Sequence, residues 1–252
     1  MLEFRDVTVQ YGTNVILDQI SFQVCSGRMT ALVGRNGCGK STLLAALNQQ
    51  IPYTGTIYTG EWDCASMDAK KRARNIAILP QTIPAPHLTA EEVVSFGRSP
   101  HLDFLGRMTE KDKLAVEQAL HDADIEILRN RFVDTLSGGE RQRVYLAMIL
   151  AQDTPLICLD EPSAHMDQKH ESAFFDLLTV LKEKGKSLLV IVHDLSLAVH
   201  YADDLIVIDQ SKVVFAGDRE QCLQKKVLEK TFGVHRYCVS EHGETRNFFS
   251  AY

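Results

Sequence analysis

The sequence holds no apolar run near the ~18–20 residues that a helix needs to cross a bilayer. Its densest apolar stretch, residues 188–192, is the length of a strand. The opening Leu2-Glu3-Phe4-Arg5-Asp6 alternates apolar with charged side chains and lacks the hydrophobic centre of a secretory signal. These two absences lead to the expectation of a cytoplasmic chain. Concentrated positive charge is missing as well: the net charge is −6, and the longest like-charged block is Lys70-Lys71-Arg72, read as a solvated face. A nucleic-acid binder or a polybasic membrane-surface protein needs a denser basic footprint, so no nucleic-acid partner is expected. The six cysteines (25, 38, 64, 158, 222 and 238) form no Cys-x-x-Cys pair, which favours reduced thiols over a disulfide framework or a zinc site. Histidines 165, 170, 193 and 200 have no Cys or carboxylate partner in a tight motif, so they too give no metal cluster. Internal repeats and low-complexity segments are absent.

What is present is an ordinary globular composition, with 45% hydrophobic and 24% charged residues over 252 positions. A chain of this length buries about 70–75% of its unfolded surface and needs no staples to fold. Val7, Val9 and Tyr11 alternate, as do Ile20, Phe22 and Val24, with turn-forming Gly12, Gly27 and Gly55 nearby, so the first sixty residues read as short strands. Later apolar strands separated by helical stretches indicate an α/β fold with a mostly parallel sheet, in which ligands bind beyond the carboxyl ends of the strands. From Gln81 to Ser137 the pattern is mainly helical. Thr89-Ala90-Glu91-Glu92 reads as a capping box, and Leu114, Ala115, Leu120 and Ala123 give helical spacing within residues 109–128. The last twenty residues show no clear pattern.

Three loops carry chemistry. Gly34-Arg35-Asn36-Gly37-Cys38-Gly39-Lys40-Ser41, followed by Thr42, fits G-x-x-x-x-G-K-[ST] and lies between a strand (residues 29–33) and a helix-forming run (residues 43–47). Glycines there let backbone N–H groups wrap phosphate oxygens at a helix N-terminus. Lys40 is placed to reach β- and γ-phosphates, and Ser41 to offer a hydroxyl to Mg²⁺. The strand Leu156-Ile157-Cys158-Leu159 then delivers Asp160, a second Mg²⁺ ligand, and Glu161, suited to polarising an attacking water. Finally, Leu136-Ser137-Gly138-Gly139-Glu140 is another Ser/Gly turn opening a helix, a second anion-binding N-terminus. One ATP has no need of two such cradles on one chain, but two make sense if the second completes the site of a partner copy.

Together these residues resemble the nucleotide-binding subunit of ATP-binding cassette (ABC) transporters, over about residues 2–235, with residues 236–252 as a short tail. The resemblance implies a P-loop ATPase core with an N-terminal antiparallel β-subdomain, and a helical subdomain inserted at about residues 82–150. It also implies a head-to-tail dimer in which each ATP lies between one Gly-rich loop and the other copy's Ser137-Gly138-Gly139. Further positions match singly: Tyr11 the aromatic that stacks on adenine (the alternative being a core tyrosine at a strand end), Gln81 the glutamine that touches Mg²⁺ and senses the membrane partner, His193 the switch histidine at the γ-phosphate, and Asp167 the acid that crosses to the other active site. Cys38 and Met166 stand where Ser or Ala, and Leu, are usual. With Lys40 and a helix N-terminus beside it, the Cys38 thiol is expected to have a lowered pKa.

The run Phe96-Gly97-Arg98-Ser99-Pro100-His101 and the sequence His193-Asp194-Leu195 resemble the subfamily that serves iron–siderophore, haem and vitamin B12 importers. That resemblance implies an ATPase held peripherally on the inner face of the cell membrane, permease subunits on other chains, and an extracytoplasmic binding protein; the irregular, Pro-rich stretch of residues 82–98 after Gln81 is expected to form much of the permease contact. An iron complex is the expected cargo, with vitamin B12 or a bare metal ion as alternatives. An exporter ATPase or a nucleic-acid ABC ATPase is the competing class. The interval from Lys40 to Ser137 holds no sustained heptads and the chain carries one cassette, which argues against repair and translation relatives.

Overall fold

The computed structural model describes residues 1–163, 166–241 and 244–251. The chain divides into two compact units, Met1–Ser66 with Ser187–Tyr252, and Met67–Lys186. The first begins with β1 (Leu2–Tyr11), β2 (Asn14–Val24), β3 (Met29–Gly34), α1 (Lys40–Leu47), β4 (Thr54–Thr59) and β5 (Trp62–Asp63). The second comprises α2 (Ala69–Asn75), β6 (Ile76–Leu79), α3 (Ala90–Ser95), α4 (Glu110–Asp122), α5 (Gly138–Ala151), β7 (Leu156–Asp160) and α6 (Gln168–Glu183). The chain then returns to the first unit through β8 (Ser187–Ile191), α7 (Leu195–Tyr201), β9 (Asp204–Asp209), β10 (Lys212–Asp218), α8 (Arg219–Gln224), α9 (Val227–Phe232), β11 (Val234–Glu241) and β12 (Glu244–Ala251).

In the first unit, β1 pairs antiparallel with β2 and β4, and β4 with β5. The alternation seen in the sequence turns Leu2, Phe4, Val7 and Val9 inward against Ile20, Phe22 and Val24, with the Phe4 and Phe22 rings stacked at 4.6 Å. β3 lies between β8 and β9, parallel to both, and β10 runs antiparallel on β9. Every residue of β3 and β8 is buried, as parallel strands covered on both faces require. The closing hairpin of β11 and β12 lies where the sequence showed no pattern. It leaves Tyr237, Val239 and Phe248 exposed, so its apolar residues never sort cleanly onto one face.

In the second unit β6 runs parallel to β7. Three helices there open with a capping box: Thr89 with Glu92 on α3, as expected, Thr109 with Asp112 on α4, and Ser137 with Glu140 on α5. The helical run expected over residues 109–128 is broken, for α4 ends at Asp122 and Glu126–Leu128 is a 3-10 turn. Leu114 is 68% exposed; the buried face of α4 is Asp112, Val116, Ala119 and Leu120, and Leu114 falls two positions from both Asp112 and Val116, off that stripe.

Two charged stretches are more buried than their residue types suggest. Arg98 is buried, its Nε and Nη2 donating to Asp112 Oδ1 at 3.0 and 2.9 Å and its Nη1 to the Ala151 carbonyl at 2.6 Å. A Cβ on Gly97 would stand 2.0 Å from the Met148 carbonyl oxygen. The Phe96-Gly97-Arg98 run is therefore largely core, with Phe96 the exposed member. Nor is the Lys70-Lys71-Arg72 block simply solvated, because Lys70 Nζ donates to the Leu102 carbonyl at 2.8 Å and Lys71 and Arg72 are half-buried. Among the described residues no helix is long and apolar enough to cross a membrane.

Candidate functional site: a phosphate loop and a second capped helix

In the first unit the Gly-rich loop leaves the buried end of β3 and closes on itself. A Cβ on Gly34 would meet Cys38 Sγ at 2.5 Å and the Ile208 carbonyl oxygen at 2.6 Å, so only glycine permits the turn. Gly39 has φ of +99° and forms the N-cap of α1 without any side-chain cap, and no acidic residue occupies the first turn of that helix. The positive end of α1 is thus left to its own backbone N–H groups, as an anion site demands. Lys40 is 5% exposed, and its Nζ donates to the Gly34 and Arg35 carbonyls at 2.9 and 3.2 Å, which holds the ammonium inside the loop. Arg35 points away, donating from Nη2 to the Thr231 carbonyl at 2.8 Å. Asn36, Gly37 and Ser41 are exposed on the loop and Thr42 is half-buried.

Tyr11 ends β1 and is 53% exposed, which overturns the core-tyrosine alternative. The expectation for Cys38 is overturned too. Burial pushes its thiol up and outweighs the Lys40 charge and the backbone donors beside it. His193 is exposed just beyond β8, and Asp194 caps α7 by accepting from the Ser196 and Leu197 N–H groups.

In the second unit β7 carries Asp160, which is buried, to its carboxyl end. Glu161 follows with φ of +48°, a left-handed conformation that a non-glycine residue adopts only where its surroundings enforce it. Gln81 Nε2 donates to Glu161 Oε2 at 2.6 Å, so two residues predicted to work together touch directly. Both line a cavity of about 400 Å³ with Gly138 and Arg141.

Ser137 caps α5. Its N–H and Oγ donate to Glu140 Oε2 at 2.9 and 2.8 Å, and its Oγ accepts from the Glu140 N–H at 3.3 Å. These bonds, the backbone one first, hold the Glu140 carboxyl below its ordinary range. A second cavity, of about 440 Å³, has Ser137, Gly139, Glu140, Arg143, Asp167 and His170 in its walls. Asp167 caps α6, and the His170 N–H and then its ring hold that carboxyl low as well. His170, weighed in the sequence only as a metal ligand, instead pairs with Asp167, and an acid at an N-cap with His three positions on was the local signal for that pair. Among the described residues no group of three His, Cys, Asp or Glu side chains could hold a metal ion, and His165 lies outside those residues.

The ABC transporter family matches residues 17–164, well over half of the chain. This chain belongs to that family. The ABC subunit is 38% identical over 234 residues to the petrobactin import ATP-binding protein FpuD of Bacillus anthracis, covering 92% of this chain and 86% of that one. To the hemin import ATP-binding protein HmuV of Rhodococcus jostii it is 37% identical over 241 residues, covering 95% and 82%. Among solved structures it resembles a dimeric ATP-binding cassette in a post-hydrolysis state bound to ADP and Pi. The TM-score is 0.75 with 26% identity, over 87% of this chain and 99% of that chain. The subunit is an ATP-binding, ATP-hydrolysing cassette, and its α/β architecture with an antiparallel N-terminal sheet is the one the motifs implied.

Proposed function

We propose that this subunit drives import of an iron complex, siderophore-bound iron or haem, by hydrolysing ATP as a head-to-tail dimer with a second copy of itself. It does so docked on the cytoplasmic face of a membrane against separate permease subunits, with an extracytoplasmic binding protein delivering cargo. What supports the dimer is a second glycine-containing helix start on the same chain, Ser137-Gly138-Gly139 on α5, beside the uncapped Gly39 end of α1. The cargo rests on the relatives, which are named for petrobactin and hemin import.

Lys40 and the loop N–H groups from Gly34 to Thr42 bind the triphosphate, with Tyr11 against the base. Ser137, Gly138 and Gly139 of the second copy close over the γ-phosphate, and Asp167 crosses toward the partner's site. Glu161, held by Gln81, orients the attacking water as general base, and His193 contacts the γ-phosphate. The Ser41 hydroxyl, the Asp160 carboxylate and the Gln81 amide oxygen are the hard donors that Mg²⁺ prefers, so the donor set fits that ion. Bound there, Mg²⁺ would neutralise charge on the β- and γ-phosphates. Closure around ATP and reopening after phosphate loss then supply two states for the permease to follow. A surface for that permease is the groove of about 560 Å³ in the second unit, lined by Leu88, Phe96, Met108 and Val116 together with three glutamates, a serine and Lys113. Exposed Phe104 and Leu105 add apolar surface in the same unit.

Glu161→Gln tests the reading. Turnover should fall by ~10²–10⁴, as for a lost general base, while ATP binding survives. The variant should then elute as a dimer in MgATP on size exclusion, and adding Ser137→Arg should return it to monomer. Normal turnover, or a monomer at saturating MgATP, would overturn the shared site. For the cargo, deleting the gene should abolish growth on siderophore iron or haem, restored by the wild-type copy and not by Lys40→Ala.

A further inference from the structure

His170 is the third residue of α6, and none of the motifs accounts for it. Its Nδ1 lies 2.8 Å from Oδ1 and 2.8 Å from Oδ2 of Asp167. Its backbone N–H also donates to Asp167 Oδ1, at 2.9 Å. An ionised carboxylate only accepts, so Nδ1 carries the proton in this contact. Capping α6 needs only the backbone bond. The ring adds something different, because an N–H shared between both oxygens fixes rotation of the carboxylate about its Cβ–Cγ bond, which a single bond to one oxygen leaves loose.

The place of this pair is equally informative. Asp167 and His170 line the 440 Å³ cavity that Ser137, Gly138 and Gly139 also line, together with residues 124–128. Of the other charged groups there, Glu140 is turned back into the capping box of α5, Arg143 Nη1 reaches Asp124 Oδ2 at 3.4 Å, and Glu126 Oε2 lies 3.4 Å from His121 Nδ1. Asp167 is itself well exposed, its side chain at 65%. An ion pair this exposed adds little stability, so its value lies in orientation, where a misplacement of about 1 Å at a reacting site is worth far more than the bond itself.

We propose that His170 is a positioning residue for the shared nucleotide site: its Nδ1–H locks the Asp167 carboxylate at the mouth of the cavity beside Ser137-Gly138-Gly139, in the orientation in which it meets the second copy. The inference rests on the head-to-tail reading above. Asparagine carries its amide nitrogen close to the position of Nδ1, whereas glutamine carries it near Nε2, so the two amides separate a specific bond from mere polarity.

The test uses the full chain, with His170→Ala, His170→Gln and His170→Asn made in the wild-type and in the Glu161→Gln backgrounds. Ala and Gln should lower kcat roughly tenfold with KM for ATP moved less than about twofold, and weaken the MgATP dimer of the Glu161→Gln background by a similar factor. Asn should stay within about twofold of the parent in both. Once Asp167 is replaced by Ala, His170→Ala should add nothing, since its effect acts through that carboxylate. Because the backbone bond from residue 170 survives every substitution, the thermal midpoints should agree, which separates orientation from folding. Ala turning over and dimerising like its parent, or Asn failing as badly as Gln, overturns the role of His170 while leaving the shared site standing. A Glu161→Gln parent that does not dimerise at all overturns both.

Discussion

Two helices of this chain begin at glycine-rich turns, and they are finished in opposite ways. Helix α1 starts at Gly39 with no side-chain cap and no acid in its first turn, and keeps a buried lysine inside its loop. Helix α5 starts at Ser137 with a complete capping box, its first turn carrying Glu140. Helices α3 and α4 are capped in the same reciprocal way by Thr89 with Glu92 and Thr109 with Asp112. A helix end left open, as an anion site needs, is thereby distinguished from one that is satisfied internally. The first withholds every side-chain acceptor; the second spends a Ser or Thr hydroxyl and a carboxylate on its own N–H groups. α5 is capped like the second class yet opens with Gly138 and Gly139 like the first, so the proposed approach of a phosphate there would meet a carboxylate that already occupies part of the end.

The most damaging way to break this contrast is Lys40→Ala. The loop keeps its glycines and open N–H groups but loses the point charge for the β- and γ-phosphates, so ATP binding and turnover should be abolished. Isothermal titration with ATP and a phosphate-release assay check it. Near-normal hydrolysis would mean that the open end of α1 is not the phosphate site.

The purely structural box on α4 is the next to break. Asp112→Ala strands the Arg98 guanidinium, whose side chain is 4% exposed, and leaving one partner of such a pair buried costs about 3–5 kcal/mol. A lowered urea midpoint at unchanged slope is the expected result, and Asp112→Ala combined with Arg98→Met should recover part of it. The same carboxyl makes acid a probe. The Thr109 hydroxyl and N–H, with Arg98 beyond them, hold Asp112 at about 2, below its ordinary 3.8. A depressed folded pKa contributes stability fully present above the unfolded value and lost as pH falls through the folded one. About 2 kcal/mol should therefore disappear between roughly pH 4 and pH 2, and Asp112→Asn should flatten that part of the pH–stability curve.

This contrast also shows which parts were legible beforehand. The Gly34–Thr42 loop, Asp160 with Glu161, and Ser137–Glu140 could be read because their chemistry is local, with spacing and residue type prescribing the turn and the helix start. The box at Thr89 was visible for the same reason. The closing hairpin was hidden because its apolar residues are split between its faces, with Tyr237 and Phe248 outward. The burial of Arg98 was not legible because it depends on a carboxylate fourteen residues on and a carbonyl from α5, neither marked by local spacing. Cys38 failed on a competition of magnitudes. The lysine beside it was visible in the sequence, but the burial that outweighs that charge was not.

The smallest and sharpest prediction concerns α5. Glutamine at residue 140 can still close a capping box, since its carbonyl oxygen accepts from Ser137 as the carboxylate does, so Glu140→Gln removes a charge and little geometry. In the free subunit that charge is favourable, because it lies at the positive end of a helix and beside Arg131, 3.5 Å away. Its loss should lower stability by about 0.3–1 kcal/mol near neutral pH. The folded carboxyl is held below its ordinary range, so this penalty should vanish in acid, where the wild-type Glu140 is protonated as well. In the dimer the sign reverses. A triphosphate brought to Ser137-Gly138-Gly139 meets Glu140 as a like charge, and glutamine relieves it. The MgATP dimer of the Glu161→Gln background should then tighten on adding Glu140→Gln even as the monomer becomes less stable, and raising the salt concentration should shrink both effects. Sedimentation and urea unfolding on the same pair of variants decide the matter. Stability and dimer affinity falling together would mean that α5 is a structural cap like α3 and α4, with no phosphate brought to it.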